Sequence, residues 1–221
     1  MADTPSEVIN VLVVDDHVMF AESLARLLDD EDGLKVVGLA ASGAAALEMF
    51  DRLRPDVVLV DYRMPDHDGV EITEEIKQRA PHAMVVMLTG SADDRVLLAA
   101  IEAGCSGFLT KDRAAAEVAD AVRSAAAGEA LITPAMLARL LPKLARRPAG
   151  VNTELTARER EVIDCMARGW SNKDIAAQLF LSVNTVRNYT QSILAKLGAH
   201  SKLEAVSKAV REGLVEYPAG R

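Results

Sequence analysis

Five short aliphatic runs constrain the fold of this chain most strongly. Each run is nearly continuous and rich in β-branched residues, which is typical of strands covered on both faces. Segments with helical spacing lie between the runs, as in 18–28, where Phe20, Leu24, Leu27 and Leu28 share a predicted apolar face. This alternation predicts an α/β fold with a five-stranded, doubly wound parallel sheet. The runs are VINVLVV (8–14), KVVGL (35–39), DVVLVD (56–61), AMVVMLTG (83–90) and SGFLT (106–110).

Charged and hydroxyl side chains stand at or just after the ends of several runs. Ligands of doubly wound sheets bind at the carboxyl ends of the strands, so these side chains are expected to meet there. Three carboxylates at one edge repel one another unless a cation joins them, and oxygen ligands suit Mg²⁺. Asp61 is then a candidate nucleophile toward a phosphoryl group, with Lys111 as cation and Thr89 as hydrogen-bond donor. The residues concerned are Asp15, Asp16, Asp61, Thr89 and Lys111.

The charge of the chain is divided between its two parts. The whole chain of 221 residues, enough for one large domain or two small ones, has a formal net charge of −8. Residues 1–130 hold 11 Lys and Arg against 25 Asp and Glu, whereas residues 131–221 hold 14 against 8. This asymmetry favours phosphate chemistry at a metal in the acidic part and a polyanionic partner for the basic part. Two solvated surfaces of different charge are the alternative.

Targeting and redox features indicate a soluble cytoplasmic protein with no membrane partner. No apolar run approaches the roughly 18 residues that span a bilayer, and the N-terminus lacks a basic-then-apolar secretion pattern. Cys105 and Cys165 lie in apolar surroundings, which favours buried reduced thiols over a disulfide. The histidines make no metal-ligand spacing with either cysteine, and His17 is interpreted as a solvated helix start rather than a ligand.

The C-terminal part begins with a basic, proline-rich stretch. Residues 131–152 are predicted to be a partly helical linker whose leucines, at 137, 140, 141 and 144, form a short helix limited by Pro142. Four compact helices with readable termini follow. Two capping boxes, two further N-caps and three glycine stops are predicted. They are Thr156 with Glu159, Ser201 with Glu204, the caps Ser171 and Ser182, and Gly169, Gly198 and Gly213.

The stretch LSVNTVRNYTQSILAKLG (181–198) has the pattern of a DNA-reading helix. Its apolar residues Val183, Val186, Ile193 and Leu197 fall on one face, and polar residues fall on the other, which fits helix-turn-helix geometry. Arg pairs with guanine and Asn or Gln with adenine in a major groove. An ordinary solvated helix face is the alternative. The candidate DNA contacts are Asn184, Thr185, Arg187, Asn188 and Gln191, with Lys173 and Lys202 toward phosphates.

The motifs VVDDH, LVDYRMPDHDG, MLTG and GFLTK resemble, in this order, the receiver domain of bacterial response regulators over about residues 1–125. The resemblance implies a flavodoxin-like fold in which Asp61 accepts phosphate from a sensor histidine kinase. It further implies Mg²⁺ held by Asp16, Asp61 and the backbone carbonyl of Arg63, with Asp15 acting through a water. Thr89 and Phe108 match the family's switch pair, although an aromatic at 108 is also compatible with a plain core residue.

The segment from about 155 to 206 resembles the LuxR-type DNA-binding domain, as in the NarL/FixJ subfamily of response regulators. The resemblance implies that the third of its helices, roughly 183–197, reads DNA. Tyr189 stands where many members have His, and Thr190 stands where many have an apolar residue, which is expected to loosen local packing. Gln191 is often a cation in relatives, so a smaller salt dependence or a different target base is expected.

Together these features predict a two-component response regulator that is not an enzyme. The predicted domains are a receiver (5–130), the linker (131–152) and a small all-α, four-helix helix-turn-helix domain (153–221). Phosphorylation of Asp61 is expected to control homodimerisation and promoter binding. One alternative, an aspartyl phosphotransferase or phosphatase, needs an acid two residues after the nucleophile, and position 63 is Arg. A ligand-sensing transcription factor, the other alternative, requires a small-molecule pocket in residues 1–130.

Overall fold

The computed structural model describes residues 8–90, 93–111, 115–144 and 155–215. The chain forms two compact units that do not follow chain order. The first unit contains the residues up to 91 together with 108–127, and the second contains 92–107 together with the residues from 128 onward. The predicted domain limits remain predictions. Within the described ranges, no helix is both long and apolar enough to cross a membrane.

Five strands form one sheet in the order β2-β1-β3-β4-β5. The pairs β1–β2, β1–β3 and β3–β4 are parallel, as predicted for a doubly wound sheet. The order changes direction next to β1, which is the position where such sheets open a crevice at their carboxyl edge. The strands are β1 (Ile9–Val14), β2 (Leu34–Ala40), β3 (Val57–Asp61), β4 (Met84–Thr89) and β5 (Gly107–Thr110).

Four of the helices in the first half of the chain, all in the first unit, pack against the described part of the sheet. The helices of the first half of the chain are α1 (Val18–Asp29), α2 (Gly43–Leu53), α3 (Gly69–Arg79), α4 (Asp94–Glu102) and α5 (Ala115–Ala126). Phe50 of α2 and Ile72 and Ile76 of α3 are buried against β-strand residues such as Val58.

The apolar face of α1 differs from the prediction at one residue. Leu24 and Leu28 are buried as expected, but Leu27 is 47% exposed. Ala21 and Ala25 complete the buried face instead, because they share the i, i+4 spacing of Leu24 and Leu28 and are small enough to approach the sheet closely.

The second unit consists of α4 together with five helices from the C-terminal part, and α10 packs against α4, α6, α7 and α9. Pro142 lies in the last turn of α6 and does not end it, since the helix runs on to Leu144. Leu140 and Leu141 of α6 are fully buried. The helices are α6 (Pro134–Leu144), α7 (Ala157–Ala167), α8 (Asn172–Leu179), α9 (Val183–Leu197) and α10 (Lys202–Arg211).

The helix termini agree with the predicted caps except at α10. The Thr156–Glu159 capping box is complete, and Ser182 caps α9. Ser201 accepts the amide of Glu204, but the Glu204 carboxylate bonds to the amide of His200 at 2.7 Å, so half of that box is absent. Both cysteines are buried and neither is part of a disulfide, as predicted.

Candidate functional site

The end of β3 is shaped by a close approach that requires glycine. A Cβ at Gly69 would lie 2.6 Å from the backbone oxygen of Asp61. The Gly69 amide donates to the backbone oxygen of Tyr62 at 2.9 Å, and Asp68 forms a capping box with Glu71 at the start of α3. The loop after β3 therefore folds back on the strand end and holds Asp61 at the carboxyl edge of the sheet.

Lys111 joins two of the predicted carboxylates at this edge. Its Nζ lies 2.6 Å from Asp15 Oδ2 and 2.9 Å from Asp61 Oδ2. The ammonium also stands 4.9 Å from the centre of the Phe20 ring, a cation–π distance. The Lys111 amide donates to the backbone oxygen of Thr89 at 3.3 Å. The prediction that strand ends bring these residues together is thus met for Asp15, Asp61, Thr89 and Lys111.

The acidic groups at this edge fit a divalent cation. Asp15, Asp16, His17 and Asp61 each offer a ligand atom, and these atoms lie within 4.8 Å of one another. Asp16 Oδ1 is buried and accepts no hydrogen bond from the described residues, although His17 Nδ1 lies 3.0 Å from it. A buried carboxylate oxygen without a donor is costly unless a cation satisfies it. The oxygen-rich donor set is the kind that Mg²⁺ prefers.

The ionisation of Asp61 and Lys111 follows from their shared burial. Burial raises the pKa of Asp61, and the neighbouring Asp15 charge adds to this, while the Lys111 hydrogen bond acts in the opposite direction without cancelling it. Burial by itself lowers the pKa of Lys111, but the bonds to Asp15 and Asp61 outweigh it and raise the pKa overall. The Lys111 ammonium therefore has two carboxylate partners, whereas Asp15 and Asp61 are paired with the same single lysine.

A cavity of about 320 Å³ opens beside these groups. Its lining includes Asp61, Thr89 and Lys111, together with His17 and Arg63. Arg63 occupies the position where an aspartyl phosphatase would carry its acid, so the cavity offers no general acid there. Phe108, on β5, is 7% exposed and thus packs inward in this structure. The space is large enough for a phosphoryl group next to the Asp61 carboxylate.

Asp66 is a structural residue of the loop after β3 that the sequence did not reveal. Its carboxylate accepts the amides of Gly43 at 3.0 Å and Ala44 at 3.3 Å, at the start of α2. The Gly43 bond is the main reason that the pKa of Asp66 falls to about 2. The carboxylate ties the loop after Asp61 to a neighbouring helix. The only local signal was an acid among turn-forming residues.

The predicted DNA-reading helix, α9, has the expected division of faces with one exception. Val186, Ile193 and Leu197 are buried, but Val183 is 38% exposed because it begins the helix beyond the edge of the core. Thr190 is buried, and its hydroxyl donates to the backbone oxygen of Val186 at 3.0 Å, so its polar atom is satisfied within the helix. The expected loosening of local packing stays a prediction. The outward residues Asn184, Arg187, Asn188 and Gln191 are exposed, and Thr185 is partly exposed.

Glu159 completes the predicted capping box and also anchors α9 to α7 through two contacts that the capping pattern did not indicate, with Ser192 and Lys196. Its carboxylate accepts Ser192 Oγ at 2.7 Å, Lys196 Nζ at 2.6 Å and the Thr156 amide at 2.7 Å. Burial alone would raise the pKa of Glu159, but the donors from Lys196, Ser192 and Thr156 lower it to about 2. The C-terminal half of α9 is therefore fixed to α7 by a buried, ionised carboxylate.

The two lysines predicted to contact phosphates occupy opposite environments. Lys173 is exposed at the start of α8. Lys202 is buried, with its Nζ 3.0 Å from Glu129 Oε2 and 3.1 Å from Asn172 Oδ1. The expected exposed position of Lys202 is therefore not found in this structure, because an ion pair within the second unit holds the side chain.

Comparison with known proteins places the chain in a family. Residues 11–123 match the model of the response regulator receiver domain, and residues 153–209 match that of bacterial regulatory proteins of the luxR family. The response regulator protein VraR of Staphylococcus epidermidis is 36% identical over 208 residues, which are 94% of this chain and 99% of VraR.

Solved structures agree with this placement. The crystal structure of response regulator ChrA, from a heme-sensing two-component system, is 32% identical and matches with a TM-score of 0.50, covering 94% of this chain and 98% of ChrA. A structure of the Salmonella typhimurium response regulator RcsB is 25% identical, with a TM-score of 0.54 and coverage of 90% and 97%. The chain belongs to the response regulators that join a receiver domain to a LuxR-type DNA-binding domain.

Proposed function

We propose that Asp61 is the phosphoacceptor of this response regulator and that a sensor histidine kinase is the donor. A carboxylate oxygen of Asp61 would attack the phosphorus, forming a P–O bond while the bond from phosphorus to the kinase histidine breaks. The observation that carries this proposal is the buried position of Asp61 at the carboxyl end of β3, 2.9 Å from Lys111 and facing the cavity. Lys111 and the Thr89 hydroxyl are placed to stabilise charge on the phosphoryl oxygens.

We further propose Mg²⁺ as the cofactor of this step. Asp16, Asp61 and the backbone carbonyl of Arg63 would hold the ion, with Asp15 acting through a water. The buried Asp16 oxygen that accepts no hydrogen bond from the described residues supports this assignment. When bound, the ion neutralises acid charge so that an anionic phosphoryl group can approach Asp61.

The consequence proposed for phosphorylation is a change in homodimerisation and in binding to promoter DNA. Thr89 and Phe108 are the proposed switch pair, with the inward aromatic coupled to the position of the hydroxyl. A bias of a few kcal/mol between two conformations suffices for such control. Two linked half-site readers would also gain affinity through effective concentration.

The proposed base contacts lie on the exposed face of α9. Asn184, Arg187, Asn188 and Gln191 are outward, and Thr185 stands beside the Ser182 cap. Lys173 and Lys202 are the proposed phosphate contacts, the second only after its present ion pair opens. RcsB, described for its conformational dynamism in DNA interaction, supports the assignment of this helical domain to DNA binding.

The decisive experiment uses acetyl phosphate with Mg²⁺ and intact-mass detection. The parent protein should gain the mass of one phosphoryl group, and the Asp61→Asn variant should gain none. Asp56→Asn is the matched control, because Asp56 stands at the opposite end of the same strand and bonds the Asn10 amide. Labelling of Asp61→Asn at the parent level would refute the phosphoacceptor assignment, as would loss of labelling in both variants.

A second readout tests control of DNA binding. Phosphorylated parent protein should change its oligomeric state in light scattering and bind a selected promoter duplex more tightly than the unphosphorylated protein. The Asp61→Asn variant should show neither response to acetyl phosphate. Identical affinity and oligomeric state with and without labelling would count against phosphorylation as the control.

A further inference from the structure

The start of α8 in the second unit already binds an anion supplied by the chain itself. The Asn172 amide donates to both carboxylate oxygens of Glu129, at 2.9 and 3.1 Å. Lys202 of α10 donates to the same carboxylate at 3.0 Å and to the Asn172 side-chain oxygen at 3.1 Å. Glu129 lies in the segment between α5 and α6, outside the four C-terminal helices. The Glu129 carboxylate is thus bound by the N-terminus of α8 and by Lys202 at the same time.

The burial of the Lys202–Glu129 pair distinguishes it from an ordinary surface ion pair. The side chain of Lys202 is 4% exposed and that of Glu129 is 20% exposed. Burial lowers the pKa of Lys202, even though Glu129 and Asp174 act against this change. Buried ion pairs contribute little net stability, because desolvation offsets most of the attraction. The pair is therefore weak evidence for a purely stabilising role of Lys202.

The location of the site indicates which anion it suits. In helix-turn-helix proteins the first helix of the motif crosses the DNA backbone, and α8 is that helix here. Helix N-termini bind phosphate through their free amides and the positive end of the helix dipole. A phosphodiester resembles a carboxylate in carrying one negative charge and two oxygens that accept hydrogen bonds. The exposed Lys173 adjoins Asn172 and adds positive charge on the solvent side.

We propose that the Asn172 amide and the Lys202 ammonium form a binding site for one phosphodiester group of the DNA backbone, which Glu129 fills in this structure as an intramolecular substitute. The proposal rests on the proposed DNA-binding function and adds a competitor to it. DNA must displace Glu129 to gain this contact. Movement of the segment that carries Glu129 would therefore expose a phosphate site without changing the base-reading face of α9.

The test measures binding of the full-length protein to a fluorescein-labelled duplex of random sequence over a range of salt concentrations. Glu129→Gln keeps the size of the side chain and removes the competing charge. Its affinity should rise roughly fivefold at low salt, the scale of one charge-assisted hydrogen bond. The slope of log affinity against log salt should also steepen by about 0.9, as expected for one more neutralised phosphate. The added substitution Lys202→Met should remove both gains.

Glu102→Gln is the matched control for general loosening of α10. Glu102 of α4 pairs with Arg211 at the far end of α10, at 3.4 Å, so its loss frees another cation of the same helix away from α8. Glu102→Gln should leave affinity and salt slope at parent values. Thermal unfolding of each variant confirms that the comparison is made on folded protein, and the Glu129→Gln/Lys202→Met double variant leaves no unpaired charge that would unfold it.

The outcomes separate this proposal from the proposed function. Parent-like affinity and slope in Glu129→Gln would overturn the phosphate site, and so would an equal gain in Glu102→Gln or a gain that survives Lys202→Met. If the parent is phosphorylated and responds to acetyl phosphate while Glu129→Gln changes nothing, only this inference fails. If the parent binds no duplex under any condition, the proposed function fails with it.

Discussion

Asp61 and Glu159 are equally buried carboxylates whose ionisation shifts in opposite directions. Asp61 is 4% exposed and Glu159 is 3% exposed. The pKa of Asp61 is raised by burial, whereas the donors around Glu159 overcome its burial and lower its pKa to about 2. Burial alone therefore does not determine what a carboxylate does in this protein. The direction of each shift depends on how far burial removes the charge from water and on which donors surround the carboxylate.

The donors differ because the two sites collect different groups. Asp61 shares Lys111 with Asp15, accepts one further hydrogen bond from the Arg63 backbone amide, and stands close to another acid, Asp16. Glu159 has Lys196, the Ser192 hydroxyl and the Thr156 amide, and each of them donates directly to it. The Asp61 carboxylate is therefore incompletely neutralised by the protein, which suits binding of a metal ion beside it. The Glu159 carboxylate is satisfied by the protein and suits a structural role.

The largest effect is expected from Glu159→Gln. The amide cannot accept all three donors as an anion does, and Lys196 loses its counter-charge, so the free energy of unfolding should fall by about 3 kcal/mol. Denaturant unfolding of the full chain measures this. Glu161→Gln is the matched control on the same helix, since its pair with Arg158 is exposed and is expected to contribute under about 0.5 kcal/mol. An equal loss of unfolding free energy in both variants would show that Glu159 stabilises the protein no more than an exposed glutamate does.

The free energy of unfolding should also depend on pH in the way that the lowered pKa of Glu159 predicts. The folded-state pKa of Glu159 lies at about 2, below its ordinary value of 4.5. Its stabilising contribution is therefore fully present above pH 4.5 and is lost as the pH falls toward 2. That loss amounts to about 3 kcal/mol by linkage. Parent and Glu159→Gln should converge in stability between these pH values. A constant difference from pH 7 down to pH 2 would contradict the lowered pKa.

Asp61 and Glu159 also show which features of the molecule could be predicted from the sequence and which could not. The five strands were predictable because each is a continuous aliphatic run, and the meeting of Asp15, Asp61 and Lys111 followed from parallel topology. Glu159 was predicted only as half of a capping box, since its bonds to α9 reach residues 33 and 37 positions away. The pairing of Lys202 with Glu129 spans 73 positions. Such contacts depend on helix packing, which no local pattern encodes.

Arg187→Ala tests whether the helix that Glu159 anchors is also the one that reads DNA. Loss of a bidentate guanine contact should weaken binding to the duplex that the parent selects from a random library by about 1–3 kcal/mol. Stability should stay at the parent value, because Arg187 is exposed. Arg158→Ala removes another exposed arginine of the same unit and should leave binding unchanged. Equal affinity of Arg187→Ala and parent would remove this residue from the proposed base contacts.

The smallest change in stability, and the most direct comparison with Glu159, is expected from Asp61→Asn. Without Mg²⁺, the substitution removes one of several like charges at the sheet edge and leaves an amide oxygen that can still accept from Lys111. The free energy of unfolding should therefore stay the same or rise by up to about 1 kcal/mol. Denaturant unfolding in chelator-treated buffer measures it. A loss as large as that of Glu159→Gln would mean that the protein already satisfies both carboxylates. The need for an external cation at Asp61 would then have no electrostatic basis.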